Sequence, residues 1–310
     1  MSALLRAIEK TLYLAPCRCG RTYYGCDISI LDDSIRLKFT PTDKFLSLDP
    51  RREDEIFMPT HIHTFEKWQH IGLAVGSLEC VLKESNIDYK ITNNEEYVEF
   101  IVLQGDIDGD FNTVKQQTLK HAHRSFDFNS NVDEETFFEI SSMIDQFLLE
   151  NNPGYKIMIT DQEIRKKIYA LAIYWETMGE KNGDIKAPQM NAPLLISVPP
   201  TEFDTNYWFN MGRLYSKIGL LAISKGYQLA FCNVLNYFDP RIARVEDTLH
   251  IKYGTYTVDN FIPRPWICIG KGLDMSKPFN WISHNDTILP SCILVTKDFI
   301  QIKEKENFIV

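Results

Sequence analysis

The alternation of apolar and polar positions divides the chain into a regular series of elements. Residues 27–40 predict a hairpin: Ile28-Ser29-Ile30 alternates, Asp32-Asp33-Ser34 supplies turn residues, and Ile35-Arg36-Leu37-Lys38-Phe39 alternates again. Pro41, Pro50 and Pro59 punctuate a polar stretch that reads as loop from 41 to 60. Phe65, Trp68, Ile71, Val75, Leu78 and Leu82 then recur at three and four, which predicts a helix over 65–85. Strands are expected at 88–92 and 98–103. A second helix is expected over 134–150, with Phe137, Ile140, Ile144 and Phe147 or Leu148 on one face and Asp133, Glu134 and Glu135 at its positive end. A strand at 155–159, a helix at 161–178, a buried strand at 192–198 and a long helix at 207–225 follow. Gly226 is placed to end that last helix, and strands at 228–234 and 266–270 complete the series. The N-terminal ten residues read as an amphipathic helix.

The two halves run in a similar order: a long apolar helix, a turn at Asn or Gly, then strands ending in glycine. The wording Ile71-Gly72-Leu73-Ala74 partly returns in Ile218-Gly219-Leu220-Leu221. This repeated order predicts an internal duplication with a period of about 150 residues. The chain of 310 residues is long enough for two such units.

Composition narrows the function classes. With 44% apolar and 24% charged residues, the chain can build a core without a disulfide or metal staple. A net charge of −9 argues against a nucleic-acid partner, which requires a positive field. No apolar run approaches the ~18 residues of a membrane span. The charged N-terminal segment lacks the apolar centre of a signal peptide, and the seven cysteines are scattered. Both features predict a reducing, cytoplasmic location.

One segment carries a resemblance. His123-Arg124-Ser125-Phe126-Asp127-Phe128, followed by Val132 and the helix at 134, resembles the Arg-Arg-Ser-x-Arg-x-Phe opening of the FMN-dependent nitroreductase superfamily. Ala192-Pro193-Leu194-Leu195-Ile196, the helix and strand over 211–232, and Ile269-Gly270 resemble later landmarks of that family in the same order. The first half resembles the N-terminal half of the Acg-like proteins, in which one chain carries two copies of the fold. There Leu14-Ala15-Pro16-Cys17-Arg18-Cys19-Gly20 through Tyr24 stands in place of an early Ala-Pro-Ser-x-x-Asn-x-Gln-Pro-Trp loop, and Asp49-Pro50-Arg51-Arg52-Glu53 stands before the first long helix. The resemblance implies an α+β, nitroreductase-like fold with two tandem copies, 1–115 and 116–310, forming an intramolecular pseudo-dimer. It also implies a small-molecule ligand and no membrane partner. The chain departs from the pattern at Asp127, and at Gly20, Thr22 and Tyr24 of the early loop.

The resemblance implies FMN bound between the halves. The dianionic phosphate of FMN needs a cation and further donors. Arg124 would give forked bonds, with Ser125 and His123 adding one each. Pro16, Cys17 and Gly20 would line the early-loop side, Cys17 replacing a serine near the ring. The redox chemistry belongs to the flavin, so a visible triad is not required. No Gly-x-Gly-x-x-Gly follows a strand, so NAD(P)H, if it is the electron donor, would bind transiently over the flavin. The departures keep three readings open: an oxidoreductase, a protein that sequesters flavin without turnover, and a fold relic that binds another ligand or a partner.

The remaining motifs have plainer readings. Cys17-x-Cys19 with Cys26 lacks zinc-site spacing, so buried or chance thiols are the default and no metal is expected. His61-x-His63 and His121-x-His123 would pair imidazoles on one face only in extended chain. Arg51-Arg52, before Glu53-Asp54-Glu55, reads as a solvated loop; Tyr23, Tyr24 and Trp266 read first as core. The long polar stretch 178–191 is either a lid or an exposed loop.

Overall fold

Helix α1 (Ala3–Leu14) leads into the antiparallel hairpin β1 (Tyr24–Ile30) and β2 (Ser34–Pro41). The central helix α2 (Thr60–Glu84) follows, then a second antiparallel pair, β3 (Tyr89–Asn93) and β4 (Val98–Leu103). The computed structural model describes residues 3–15, 23–42, 60–103, 126–127, 132–151, 156–159, 194–198, 204–231, 266–272 and 300–303. Most of the expected loop at 41–60, the expected helix at 161–178 and the 178–191 stretch lie outside them.

The alternation in β1, β2 and β4 has a direct structural result. Leu37, Phe39, Val98, Phe100 and Val102 point inward and are fully buried, while Arg36 and Lys38 point to water. Each large apolar side chain buried this way stabilises the fold by about 1.5–3 kcal/mol. The inward face packs on α2, whose Trp68, Ile71, Val75, Leu78 and Leu82 are buried as their spacing predicts. The surround of α2 is wider than a single stripe, because His70, Leu73, Ala74, Ser77 and Glu79 on its other sides are buried too. The helix is central, and a second helix covers the face that an amphipathic reading would leave to water.

The second half begins with β5 (Phe126–Asp127) and α3 (Glu134–Asn151), then β6 (Lys156–Ile159) and β7 (Leu194–Val198). The long helix α4 (Thr205–Ser224), β8 (Tyr227–Phe231) and β9 (Trp266–Gly272) follow. Asp133 caps α3, accepting from the Thr136 amide at 2.8 Å, and Asp204 caps α4, accepting from the Asn206 amide at 2.8 Å. On α3 the buried face is Thr136, Ile140, Ile144 and Phe147. Ile140, Ile144 and Phe147 are buried as expected, but Phe137 is 39% exposed and Thr136 takes its place on the buried face.

Strand pairing repeats between the halves. In the first, β1 pairs with β2, β2 with β4 and β4 with β3, all antiparallel. In the second, β6 pairs with β7, β7 with β9 and β9 with β8, again all antiparallel. Among the described elements a helix precedes each first pair and a central helix precedes each second pair, so the order α-β-β-α-β-β is seen twice when β5 and β10 are set aside. Both central helices end the same way. Asn86 (φ 53°) and Gly226 (φ 82°) each lie two residues past the helix and turn the chain left-handed, as the pattern predicts for Gly226.

Two short strands were not legible in the hydrophobic pattern. β5 pairs with the Lys271–Gly272 end of β9. β10 (Ile300–Lys303) returns from the far end of the chain and adds in parallel to the outer edge of β1, Cys26 opposite Ile300 and Ser29 opposite Lys303. The first sheet thus takes its last strand from the C-terminal part of the sequence.

The central helices α2 and α4 cross in contact of backbone on backbone. A Cβ built at Gly72 would stand 2.0 Å from the Phe209 carbonyl oxygen and 3.0 Å from the Arg213 nitrogen. One at Gly212 would stand 2.1 Å from the Gln69 carbonyl oxygen and 2.8 Å from the Leu73 nitrogen. Each glycine therefore faces the residue three before and the residue one after its counterpart, a two-fold relation between the helices. Each also lies twelve residues before the end of its helix and four after a buried tryptophan, Trp68 or Trp208. Gly76 fits against the Arg213 backbone, and beside it the Ser77 and Ser216 hydroxyls meet at 2.6 Å in the buried interior.

Candidate functional site

The residues named for the flavin phosphate, His123, Arg124 and Ser125, lie outside the described residues, as do Pro16, Cys17 and Gly20 of the early loop. Their flanks are described. Ala15 closes α1 and Tyr23 opens the approach to β1, so the early loop spans the interval between them. Phe126 and Asp127, the next two residues after Ser125, are registered opposite Gly272 and Lys271 of β9. In sequence the phosphate-binding candidates immediately precede this strand, and Asp127 is registered across from Lys271 in the ladder.

The plainer readings fare as follows. Tyr23 and Tyr24 are 2% and 4% exposed; Tyr23 meets His70 edge-on at 4.8 Å and Tyr24 meets Phe39 at 5.6 Å, which is core packing. Cys26 is a buried thiol raised well above its ordinary range, first by burial and then by the charge of Asp27, so it is an inert one. Cys19 lies outside the described residues, as do His121 and Arg51-Arg52. His61 and His63 fall within α2, so the extended geometry that would pair them is replaced by helix, where i and i+2 diverge. Among the described residues no three His, Cys, Asp or Glu side chains gather as a metal site.

The polar centre of the described molecule was not anticipated from the sequence. Glu79 of α2 is 3% exposed and meets Arg213 of α4 in a forked pair, Nη2 at 2.6 Å and Nε at 2.9 Å. Lys217 Nζ stands 3.3 Å from the same carboxylate, and the Tyr89 hydroxyl donates to it at 3.0 Å. Arg213 Nη1 donates onward to Asn210 and Asn151 at 2.8 and 2.9 Å, and its guanidinium lies over the rings of Phe147 and Phe209. Burial by itself would raise the Glu79 carboxyl. The Arg213 bonds and charge, then Lys217, outweigh it and hold the group below the usual carboxylate range. Burial first, and then the Glu79 charge, push the Tyr89 phenol well up, so it remains a donor.

Glu79, Tyr89 and Lys217 of this cluster line a groove of about 850 Å³ between α2, α3, α4 and the start of β3, with Arg213 behind them. Met143, Phe147, Leu220 and Leu221 supply apolar walls. The sequence signal was weak, because a glutamate, an arginine and a lysine on apolar helices read as ordinary solvated positions. The one available clue was that Glu79, Arg213 and Lys217 each interrupt a helix whose neighbouring residues are nearly all apolar.

No helix among the described residues is long and apolar enough to cross a membrane. No protein-family model matches the sequence, and no curated protein does. Among solved structures, the chain is similar to an FMN-bound nitroreductase from Bacteroides fragilis at 10% identity and a TM-score of 0.38, over 56% of this chain and 96% of that one. It is similar to an FMN-dependent nitroreductase from Clostridium difficile at 16% identity and a TM-score of 0.35, over 53% and 89%. A nitroreductase from B. subtilis matches at 14% identity and 0.35, over 57% and 75%.

Proposed function

We propose that this chain is an FMN-binding protein of nitroreductase type, an oxidoreductase acting on a small molecule, built as an intramolecular pseudo-dimer of the halves 1–115 and 116–310. The observation that carries the pseudo-dimer is the crossing of α2 and α4. Gly72 and Gly212 face equivalent partners, each sits at the same distance from its helix end, and each helix then feeds strands paired in the same way. The return of β10 to the first sheet supports it, since an exchanged strand ties two halves of a dimer together. The sequence resemblance at 123–128 supplies the flavin.

In this reading Arg124, Ser125 and His123 hold the flavin phosphate, and Pro16, Cys17 and Gly20 border the ring. The flavin, when bound, supplies the two-electron chemistry. The chain's own residues bind, orient and screen it: Arg124 neutralises phosphate charge against a chain of net charge −9, and Phe126 and Asp127, which follow the motif, pair with β9. NAD(P)H is the proposed electron donor. The departures at Gly20, Thr22, Tyr24 and Asp127 favour a second reading, flavin held without turnover.

The test is the purified protein with added FMN. Binding with quenched flavin fluorescence is expected, and Arg124→Ala should weaken it by about 1.5–3 kcal/mol, the scale of a hydrogen bond to a charged group. Absence of FMN binding overturns both readings. Anaerobic NAD(P)H then separates them: bleaching of the bound flavin marks the oxidoreductase, and a flavin that stays oxidised marks the store.

A further inference from the structure

We propose that the groove between α2, α3 and α4 is a second ligand site, for a small monocarboxylate with an apolar body whose carboxylate seats on Lys217. The site is separate from the flavin reading and uses none of its residues.

Charge at the floor carries the inference. One carboxylate, Glu79, faces two cations, Arg213 and Lys217. Arg213 satisfies it with two short bonds and spends its remaining described donor on Asn151 and Asn210. Glu79 accepts from Arg213 and Tyr89 as well, so its own capacity is used. Lys217 is left with one contact to an already neutralised carboxylate, at 3.3 Å, and with the Phe147 ring 5.3 Å away. It is 24% exposed, it lines the groove, and an ammonium has three donors. The Glu79–Arg213–Lys217 cluster therefore carries one net positive charge, and Lys217 is the cation of that cluster that lines the groove.

The walls decide the rest of the ligand. Met143, Phe147, Leu220 and Leu221 offer an apolar lining, and about 850 Å³ lies within the range of small-molecule sites. The mouth is acidic, with Glu84, Glu139 and Glu150 opposed by Lys83. Glu139 is held by Lys225 at 2.9 Å, and Glu150 accepts from Gln146 at 2.8 Å. These exposed charges are screened by water and salt more than Lys217, which is 24% exposed beside the buried Glu79, so the inner cation sets the sign of the bound group. The acidic mouth selects against a second negative charge, which excludes polyanions such as nucleotides.

The experiment is calorimetric titration of the full chain with octanoate, octanol and octylammonium, which share one tail and differ in charge. Octanoate should bind, octanol more weakly, and octylammonium weakest. Lys217→Gln should lower octanoate affinity about tenfold or more, the scale of a charged hydrogen bond, and leave octanol unchanged, while Lys217→Arg restores octanoate. Leu221→Trp fills the groove without touching a charge and should abolish octanoate binding, which keeps the test decisive if Lys217→Gln fails to fold. No octanoate binding, octylammonium binding as tightly as octanoate, or octanoate binding unmoved by a folded Lys217→Gln or by Leu221→Trp, overturns the proposal.

Discussion

The two halves of the molecule agree in topology and disagree in charge. Around Gly72 and Gly212 the helices α2 and α4 present the same relation to each other, tryptophan four residues before glycine and backbone against backbone. About two turns further on they diverge. Glu79 stands five residues before the end of α2, and the matching position on α4 is Gly219. The carboxylate comes from one half and both cations, Arg213 and Lys217, come from the other. A symmetric crossing needs small residues at equivalent places, because both backbones must approach equally. A single ion pair cannot be symmetric about its own axis, so one helix supplies the acid and the other the base.

Breaking the asymmetric part should have the largest effect. Arg213→Met removes the forked partner of a nearly buried carboxylate, and a loss of about 3–5 kcal/mol of stability is expected, measured by urea unfolding. The double change Glu79→Leu with Arg213→Met should recover much of it, since no uncompensated charge is then left. A double variant no more stable than Arg213→Met would show that packing, not charge, sets the cost.

The symmetric part gives the next effect. Gly72→Ala and Gly212→Ala each force a methyl into carbonyl oxygen, and each should cost about 2–3 kcal/mol. Near-equal losses sharpen the two-fold relation, and a loss confined to one glycine breaks it. Ser77→Ala, beside the crossing, leaves Ser216 without its 2.6 Å partner and should cost about 1 kcal/mol by the same measurement.

Acid titration probes the halves separately. The Glu79 carboxyl is lower in the folded protein than in the unfolded chain, where it is near about 4.3. Its contribution is therefore complete above that value and is lost as pH falls through the lower folded one. Asp133 in the second half is held down to about 2 by the Tyr227 hydroxyl first, and then by the Thr136 amide. Tyr227→Phe should move that carboxyl back towards its ordinary value, read by NMR titration, and should leave Glu79 where it is. This is the smallest change of the set, because Asp133 is fully exposed. An Asp133 titration unmoved by Tyr227→Phe would assign the shift to the cap alone.

The individual elements were largely legible because their signals are local. Alternation at Ile35, Leu37 and Phe39 put one face of β2 inward, and spacing by three and four from Trp68 to Leu82 wound α2. The phosphate-binding candidates also came from sequence, through a motif rather than through geometry. The shared Ile-Gly-Leu wording lies at 71 and 218, whereas the close approach of the two helices is at Gly72 and Gly212, each four residues after a buried tryptophan.

By itself the sequence determined the described helices, the β1–β2 hairpin, the strands other than β5 and β10, and the turns at Asn86 and Gly226, since each depends on residues only a few positions apart. Tertiary structure decided the addition of β10 to β1, the crossing at Gly72 and Gly212, and the meeting of Glu79 with Arg213 and Lys217. These contacts join residues more than a hundred positions apart, and no local period records which distant backbone will come close enough to require a glycine or which buried charge will find its partner.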